Sequence, residues 1–308
     1  MLMSSGEVLT HKKYGEHYHS LTIVAPQIGE RVQPGQFVNI RCDSDRSFIL
    51  RRPFSIYRVH KRGAWAATIE IVFDIRGPGT KYLSELRAHS VVQLIGPCGR
   101  GFDLPRERAH CLLVGGGIGA APLFFLADEL RNEGHRVDVV LGARSIHHLL
   151  NAIDVRRLAS VYRITTEDGS MGERGRVTDV LQQMIERCSS DIVYGCGPNP
   201  MLAATARVCA DNDNLPLQVA VEELMACGYG VCMTCVLPTI STKASLRGPD
   251  EVVYARACTE GPVFDGASIV WNAAVEGARD RSELVPAGSA VAHRWSDDAR
   301  AEHAPPGN

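Results

Sequence analysis

The sequence predicts a multidomain β plus α/β protein: an antiparallel β-barrel, then a doubly wound parallel sheet, then a small cysteine-bearing C-terminal domain. Three observations carry that expectation. Short alternating apolar stretches, separated by Gly and Pro turns, run through residues 1–103. From Leu104, strand-like runs alternate with helical ones around a glycine loop. Near the C-terminus, Cys227, Cys232 and Cys235 follow the spacing C-x4-C-x2-C, and Cys258 trails them. The expected units are 1–103, 104–216 and 217–275, with 276–308 as a disordered tail rich in Ala, Gly, Asp, Arg and Pro.

Whole-chain properties narrow the function classes. The 308 residues are 45% hydrophobic and 22% charged, with formal net charge −2. That balance offers no electrostatic case for nucleic acid or an anionic membrane, so small molecules or another protein are the expected partners. The apolar run from Cys111 to Ala127 contains four glycines and Pro122 and is shorter than the roughly 20 residues of a membrane span. Ten cysteines in a chain of this size, with four in one metal-like pattern and no signal peptide at its start, point to a reducing cytoplasm rather than a disulfide scaffold.

In the first unit, Leu21–Val24, Gln36–Ile40, Trp65–Phe73 and Val91–Ile95 read as short antiparallel strands. Two segments there have chemical content. In Leu50-Arg51-Arg52-Pro53-Phe54-Ser55-Ile56, an arginine, an aromatic and a hydroxyl can supply a phosphate clamp, a face for a ring and a hydrogen bond to a ring nitrogen. A strand edge with a solvated arginine is the plain alternative. In Arg76-Gly77-Pro78-Gly79-Thr80, a turn leads into an expected helix, Lys81–Arg87. Thr80 is its expected N-cap, and the free amides of the helix start favour a pyrophosphate. Together the two segments predict a flavin nucleotide site.

In the second unit, Cys111–Val114 reads as a buried strand, Gly115–Gly119 as a turn and Ala120–Asn132 as a helix. The alternation continues with a strand at Val137–Leu141, a helical stretch at His148–Leu158, a strand at Tyr162–Thr166, a helix at Val177–Arg187 and a strand at Asp191–Tyr194. The glycine loop follows a strand and opens a helix, the setting in which backbone amides meet nucleotide phosphates. The next strand runs into Gly142-Ala143-Arg144-Ser145, with no acid to hold a ribose diol, which argues against a standard dehydrogenase fold. Arg144 is either a contact to a ribose or 2′-phosphate or a solvated arginine, so NAD versus NADP stays open. Cys196, in Gly195-Cys196-Gly197-Pro198, sits where ligands bind in open α/β sheets; an inert buried thiol is the alternative.

The C-x4-C-x2-C…C order is that of a plant-type [2Fe-2S] cluster. Gly228 and Gly230 allow the chain to curl so that amides point at sulfur. Structural zinc, one alternative, pairs its ligands as two short knuckles, and here only Cys232 and Cys235 form one; free structural thiols are the other alternative. Cys42, Cys98, Cys111, Cys188, Cys209 and the histidines lack ligand spacing and read as packing or surface residues.

The segments Arg52-Pro53-Phe54-Ser55, Gly77-Pro78-Gly79-Thr80, Gly115–Gly119 with Ala121-Pro122-Leu123, and Tyr194–Pro198 together resemble the ferredoxin-NADP reductase superfamily. Glu222-Glu223-Leu224-Met225-Ala226-Cys227-Gly228 through Cys235, with Cys258 and Gly261-Pro262-Val263-Phe264, is similar to the electron-transfer subunit of class 1B dihydroorotate dehydrogenase. The resemblance runs from about residue 5 to residue 272. It implies FAD on Arg52, Pro53, Phe54, Ser55, Gly77, Gly79 and Thr80, and NAD(H) on Gly116, Gly117, Gly119, Cys196, Gly197 and Pro198. It also implies a [2Fe-2S] cluster on Cys227, Cys232, Cys235 and Cys258. Ser55 and Cys196 are the catalytic candidates at the flavin and nicotinamide. The implied partner is an FMN-containing catalytic subunit in a heterotetramer, with electrons from dihydroorotate reaching NAD+ in pyrimidine biosynthesis. Two other readings stay open: a reductase subunit of another redox complex (ferredoxin reductase or hydrogenase module), and a non-catalytic iron-sulfur redox sensor. One departure from the family is the long stretch between Cys235 and Cys258, expected to be a hairpin of Val236–Ile240 and Val252–Ala255 with a polar tip at Lys243–Asp250.

Overall fold

The computed structural model describes residues 1–42, 48–62, 66–241 and 251–274. Trp65, the hairpin tip Lys243–Asp250 and the expected tail at 276–308 lie outside the described residues. The N-terminal unit contains β1 (Leu2–Tyr14), β2 (Tyr18–Val24), the short α1 (Pro26–Gly29), β3 (Phe37–Ile40), β4 (Arg52–Arg62), β5 (Ala66–Asp74), α2 (Pro78–Glu85) and β6 (Val91–Cys98). The six strands form a closed antiparallel barrel in the order β1-β2-β5-β4-β3-β6. Alternation explains the closure. Leu21, Ile23, Ile40, Ile56, Ile69, Ile71 and Leu94 all turn inward and are fully buried, and β-branched residues suit such a pleated, half-buried surface. A register shift between Ile56 and Arg58 turns Tyr57 toward the neighbouring unit, as a bulge does.

The second unit alternates β7 (His110–Gly116), α3 (Ala121–Asn132), β8 (Arg136–Ala143), α4 (Ala152–Leu158), β9 (Tyr162–Thr166), β10 (Glu173–Arg174), α5 (Val177–Cys188), β11 (Ile192–Cys196), α6 (Asn199–Asp211) and β12 (Leu217–Ala220). β13 (Val236–Ile240) and β14 (Val252–Arg256) form the expected hairpin, and β15 (Val263–Asp265) follows. The main sheet has the order β10-β9-β8-β7-β11-β12-β15. Its first six strands are parallel, and β15 is antiparallel to β12. The sheet therefore crosses the expected boundary at 216/217 and takes its last strand from beyond the cysteine loop. The sequence pattern announces neither α6 nor β12, because Pro198 masks the start of one and the other has only four residues.

The three units share cores. Tyr18, Tyr57 and Val72 of the barrel pack with Phe124, Leu141 and Cys196 of the sheet. Phe37 of β3 packs with Cys235, Leu237 and Cys258. A polar seam accompanies the first contact: Arg58 lies 2.8 Å from Asp154 and 3.5 Å from Asp128, and Asn151 Nδ2 donates to the Tyr57 hydroxyl at 2.9 Å. The sequence-distant cofactor motifs are thus held on one body. Among the described residues no helix is long and apolar enough to cross a membrane.

Candidate functional site

The cysteine loop is built largely from its own backbone. Cys235 and Cys258 are buried, Cys227 is half-buried and Cys232 is exposed. The amide of Ala257 donates to Cys235 O at 2.8 Å, which returns Cys258 to the loop. The amides of Tyr229, Val231 and Cys232 donate to Cys227 Sγ at 3.5, 3.3 and 3.5 Å. Cys232 Sγ accepts from the Cys227 amide at 3.5 Å and from Thr234 Oγ1 at 3.2 Å. Gly228 and Gly230 adopt φ of +74° and +88°, the left-handed region that favours glycine.

The surroundings divide the thiols electrostatically. The hydroxyl of Thr234, followed by the Cys227 amide, holds Cys232 down at about 6. Burial works against ionisation of Cys227, yet the amides of Tyr229, Cys232 and Val231 outweigh it and lower its pKa. Burial, with Cys235 alongside, pushes Cys258 up to about 12. The interactions pair Cys227 with Cys232 and Cys235 with Cys258. Among the described residues no three such side chains close around a single ion. Two thiol pairs with amides aimed at sulfur fit the donor set of a two-iron cluster better than one tetrahedral ion.

The glycine loop and the C-G-P turn meet backbone to backbone. A Cβ on Gly119 would lie 2.7 Å from Gly197 Cα and 2.8 Å from Glu222 Oε1. One on Gly116 would lie 2.6 Å from Met201 Sδ and 3.1 Å from Pro198 Cδ. Gly117 has φ +56° and open space around it. Such glycine-lined backbone before α3 fits the close approach of a nucleotide phosphate. Cys196 is 3% exposed, and burial, then the charge of Glu222, raises its pKa well above the ordinary thiol value. Of the two sequence readings of Cys196, the thiol is buried and protonated, and it still adjoins the cleft.

Glu222 is the cleft residue that sequence reasoning did not single out. It stands two positions beyond β12, so recognising that strand would have placed it at a strand end. The residue is exposed, yet protein crowds its carboxyl; that desolvation raises its pKa and Arg76 opposes the rise. Arg76 comes from the barrel, so the two units face each other across this cleft.

On the barrel side, Ser55 is half-buried and lies opposite Phe37, with Pro53 opposite Asn39. A Cβ on Gly79 would lie 3.2 Å from Cys42 Cβ and 3.6 Å from Arg52 Cγ, so the glycine turn rests on the arginine strand. Arg52 Nη1 donates to Leu50 O at 3.0 Å. Two expectations need correction. The helix after the turn is α2, Pro78–Glu85, not Lys81–Arg87, and its N-cap is Gly77. Proline at N1 has its φ preset and loses no needed donor, so the helix starts early and Thr80 falls at N3. Its Oγ1 accepts from the amides of Arg76 and Gly77 at 2.9 and 3.2 Å, leaving those of Gly79 and Thr80 without intrahelical partners. The second correction concerns Phe54. It is 8% exposed and packs edge-on to Phe73 at 5.8 Å, so its ring belongs to the barrel core and not to a flavin-facing surface.

A family model described as the iron-sulfur cluster binding domain of dihydroorotate dehydrogenase B matches residues 222–270. Another, the oxidoreductase NAD-binding domain, matches 113–207. The chain is 36% identical over 247 residues to the dihydroorotate dehydrogenase B (NAD(+)) electron transfer subunit of Desulforamulus reducens, covering 80% of this chain and 90% of that one. It is 35% identical over 266 residues to the same subunit of Geobacillus thermodenitrificans, covering 85% and 96%. Among solved structures it is similar to an NADH-dependent reduced ferredoxin-NADP oxidoreductase, with TM-score 0.73 and 26% identity over 91% of this chain and 95% of that one. A ferredoxin NADP+ reductase of Neisseria gonorrhoeae, at TM-score 0.53 and 17% identity over 68% of this chain and 91% of that one, shares the fold. By its likeness to these relatives over most of both lengths, the chain belongs to the family of dihydroorotate dehydrogenase B electron transfer subunits.

Proposed function

We propose that the chain is the electron-transfer subunit of an NAD-dependent dihydroorotate dehydrogenase of pyrimidine biosynthesis. Its partner is an FMN-containing catalytic subunit, the assembly is a heterotetramer, and the compartment is the cytoplasm. The observation that carries the reading is the sequence of sites: an exposed Cys232 at the surface, a cysteine loop packed on β3, and behind it a cleft shared by barrel and sheet.

When bound, FAD exchanges hydride with nicotinamide and single electrons with a [2Fe-2S] cluster. Cys227, Cys232, Cys235 and Cys258 hold that cluster, and the amides of Tyr229, Val231 and Cys232 offset its charge. Arg52, with the free amides of Gly79 and Thr80, holds the FAD pyrophosphate; Pro53 and Gly77 shape that pocket, and Ser55 hydrogen-bonds the ring edge. Phe54 supports the strand from within the core. Gly116, Gly117 and Gly119 receive the NAD(H) phosphates, and Cys196, Gly197 and Pro198 border the nicotinamide. The protonated Cys196 thiol limits water there, and the Glu222 carboxyl, crowded by protein and faced by Arg76, borders the same cleft. Dihydroorotate binds the partner.

The test is anaerobic co-purification with an FMN-containing catalytic subunit, followed by flavin and iron analysis and an orotate-forming assay with NAD+. The reading expects FAD, about two irons per chain, and orotate formation coupled to NADH. A stable complex with both flavins that cannot couple orotate to NADH overturns it.

A further inference from the structure

Asn39 lies on β3, a strand of the barrel, yet its side chain ends on the cysteine loop. It is 2% exposed. Its neighbours in register are Pro53 of β4, within the flavin-strand motif, and Ile95 of β6. Asn39 Nδ2 donates to Gly228 O at 3.3 Å and to Cys98 Sγ at 3.6 Å. A carbonyl only accepts, so the group facing Gly228 is the amide nitrogen. The fit is tight: a Cβ on Gly228 would lie 2.4 Å from Asn39 Nδ2.

The direction of the Gly228 carbonyl has a consequence across its peptide bond. A trans peptide is planar, with its C=O and N–H pointing opposite ways. Anchoring Gly228 O toward the barrel therefore aims the next amide, Tyr229 N–H, away from it, and that amide donates to Cys227 Sγ at 3.5 Å. Hydrogen bonds to a cluster's sulfurs are among the levers that set its reduction potential. We propose that Asn39 is a positioning residue for the cluster: by holding the Gly228–Tyr229 peptide it fixes the Tyr229 N–H···Sγ bond on Cys227 and so raises the cluster's potential. The flavin barrel, through β3, thereby tunes the group that exchanges electrons with its own cofactor. This inference rests on the cysteines holding a [2Fe-2S] cluster, as argued above.

The test uses the complex with its catalytic subunit and two variants, Asn39→Ala, which deletes the donor, and Asn39→Leu, which deletes it while filling the space. Redox titration followed by electron paramagnetic resonance reads the cluster potential. Hyperfine spectroscopy before and after exchange into deuterated water counts amide protons coupled to the cluster. Both variants should keep FAD at an unchanged potential, shift the cluster potential to more negative values and lose one exchangeable proton coupling. An unshifted potential with every coupling intact overturns the inference. Loss of the cluster from both variants overturns it too, in favour of a packing role. A wild-type complex without a cluster would instead be a failure of the proposed function.

Discussion

The cysteine loop and the glycine-lined cleft hold their working groups in opposite ways. Three of the four thiols arise within Cys227–Cys235, and the amides that answer their charge come from the same segment. In the cleft, Gly119, Gly197, Glu222 and Arg76 come from four separate segments and two units. The loop is thus specified mainly by local conformation, the left-handed glycines above all, with Asn39 of β3 and Arg256 of β14 as its anchors from outside. The cleft exists only because the barrel and the sheet share a core. Damage to the loop should stay in the loop, whereas damage to the cleft should reach whatever binds between the units.

The sharpest break of this contrast is Cys232→Ser. Cys232 is exposed and contributes nothing to either shared core, so the fold should stand. Electron transfer coupled to the partner should fall at least a hundredfold, about 3 kcal/mol or more of lost coupling, while FAD content and NADH-to-dye activity stay near wild type. Loss of both activities with circular dichroism unchanged would mean that the two sites are not separable.

Gly119→Ala is the mirror experiment in the cleft. Its Cβ would meet Gly197 Cα at 2.7 Å, backbone that cannot swing aside. Overpacking of this kind costs about 1–3 kcal/mol, so the KM for NADH should rise roughly ten- to a hundredfold with the cluster's visible spectrum unaltered. Gly117→Ala sharpens the point from two positions away. Nothing lies near its Cβ, and only the φ of +56° opposes the change, at about 1 kcal/mol. A KM rise of roughly fivefold is expected; an effect as large as that of Gly119→Ala would mean that strain, not the close approach to Gly197, shapes the loop.

The same contrast explains what could be read from the sequence. The thiol spacing, the hairpin before Cys258 and the glycine loop are local, and each is present where its residues indicate. The misreadings lie where a neighbouring element decides. Thr80 looks like a cap, but Pro78 starts the helix earlier and turns its hydroxyl back onto Arg76 and Gly77. Phe54 looks like a platform for a ring, but strand alternation sends it inward to Phe73. Glu222 stands in the cysteine motif but nothing local assigns it to the cleft, and Asn39 carries no local signal, because the significance of both comes from contacts with segments far along the chain.

The smallest expected effect is also the one that belongs to the cleft alone. Burial raises the folded pKa of Glu222 above its ordinary 4.5. A carboxyl that holds its proton more tightly folded than unfolded stabilises the fold while protonated, and that contribution is lost as pH climbs from 4.5 through the raised value. Glu222→Gln imitates the protonated form at every pH. In thermal melts of the isolated chain, wild type and variant should keep a constant gap below pH 4.5, and the gap should then move in the variant's favour until it levels off above the raised pKa. A gap that is flat across the whole range would show that the carboxylate ionises as freely as in water. Because Arg76 opposes the rise, Arg76→Gln in the wild-type background should carry the upper end of that window to higher pH, a shift that only a charge reaching across from barrel to sheet can produce.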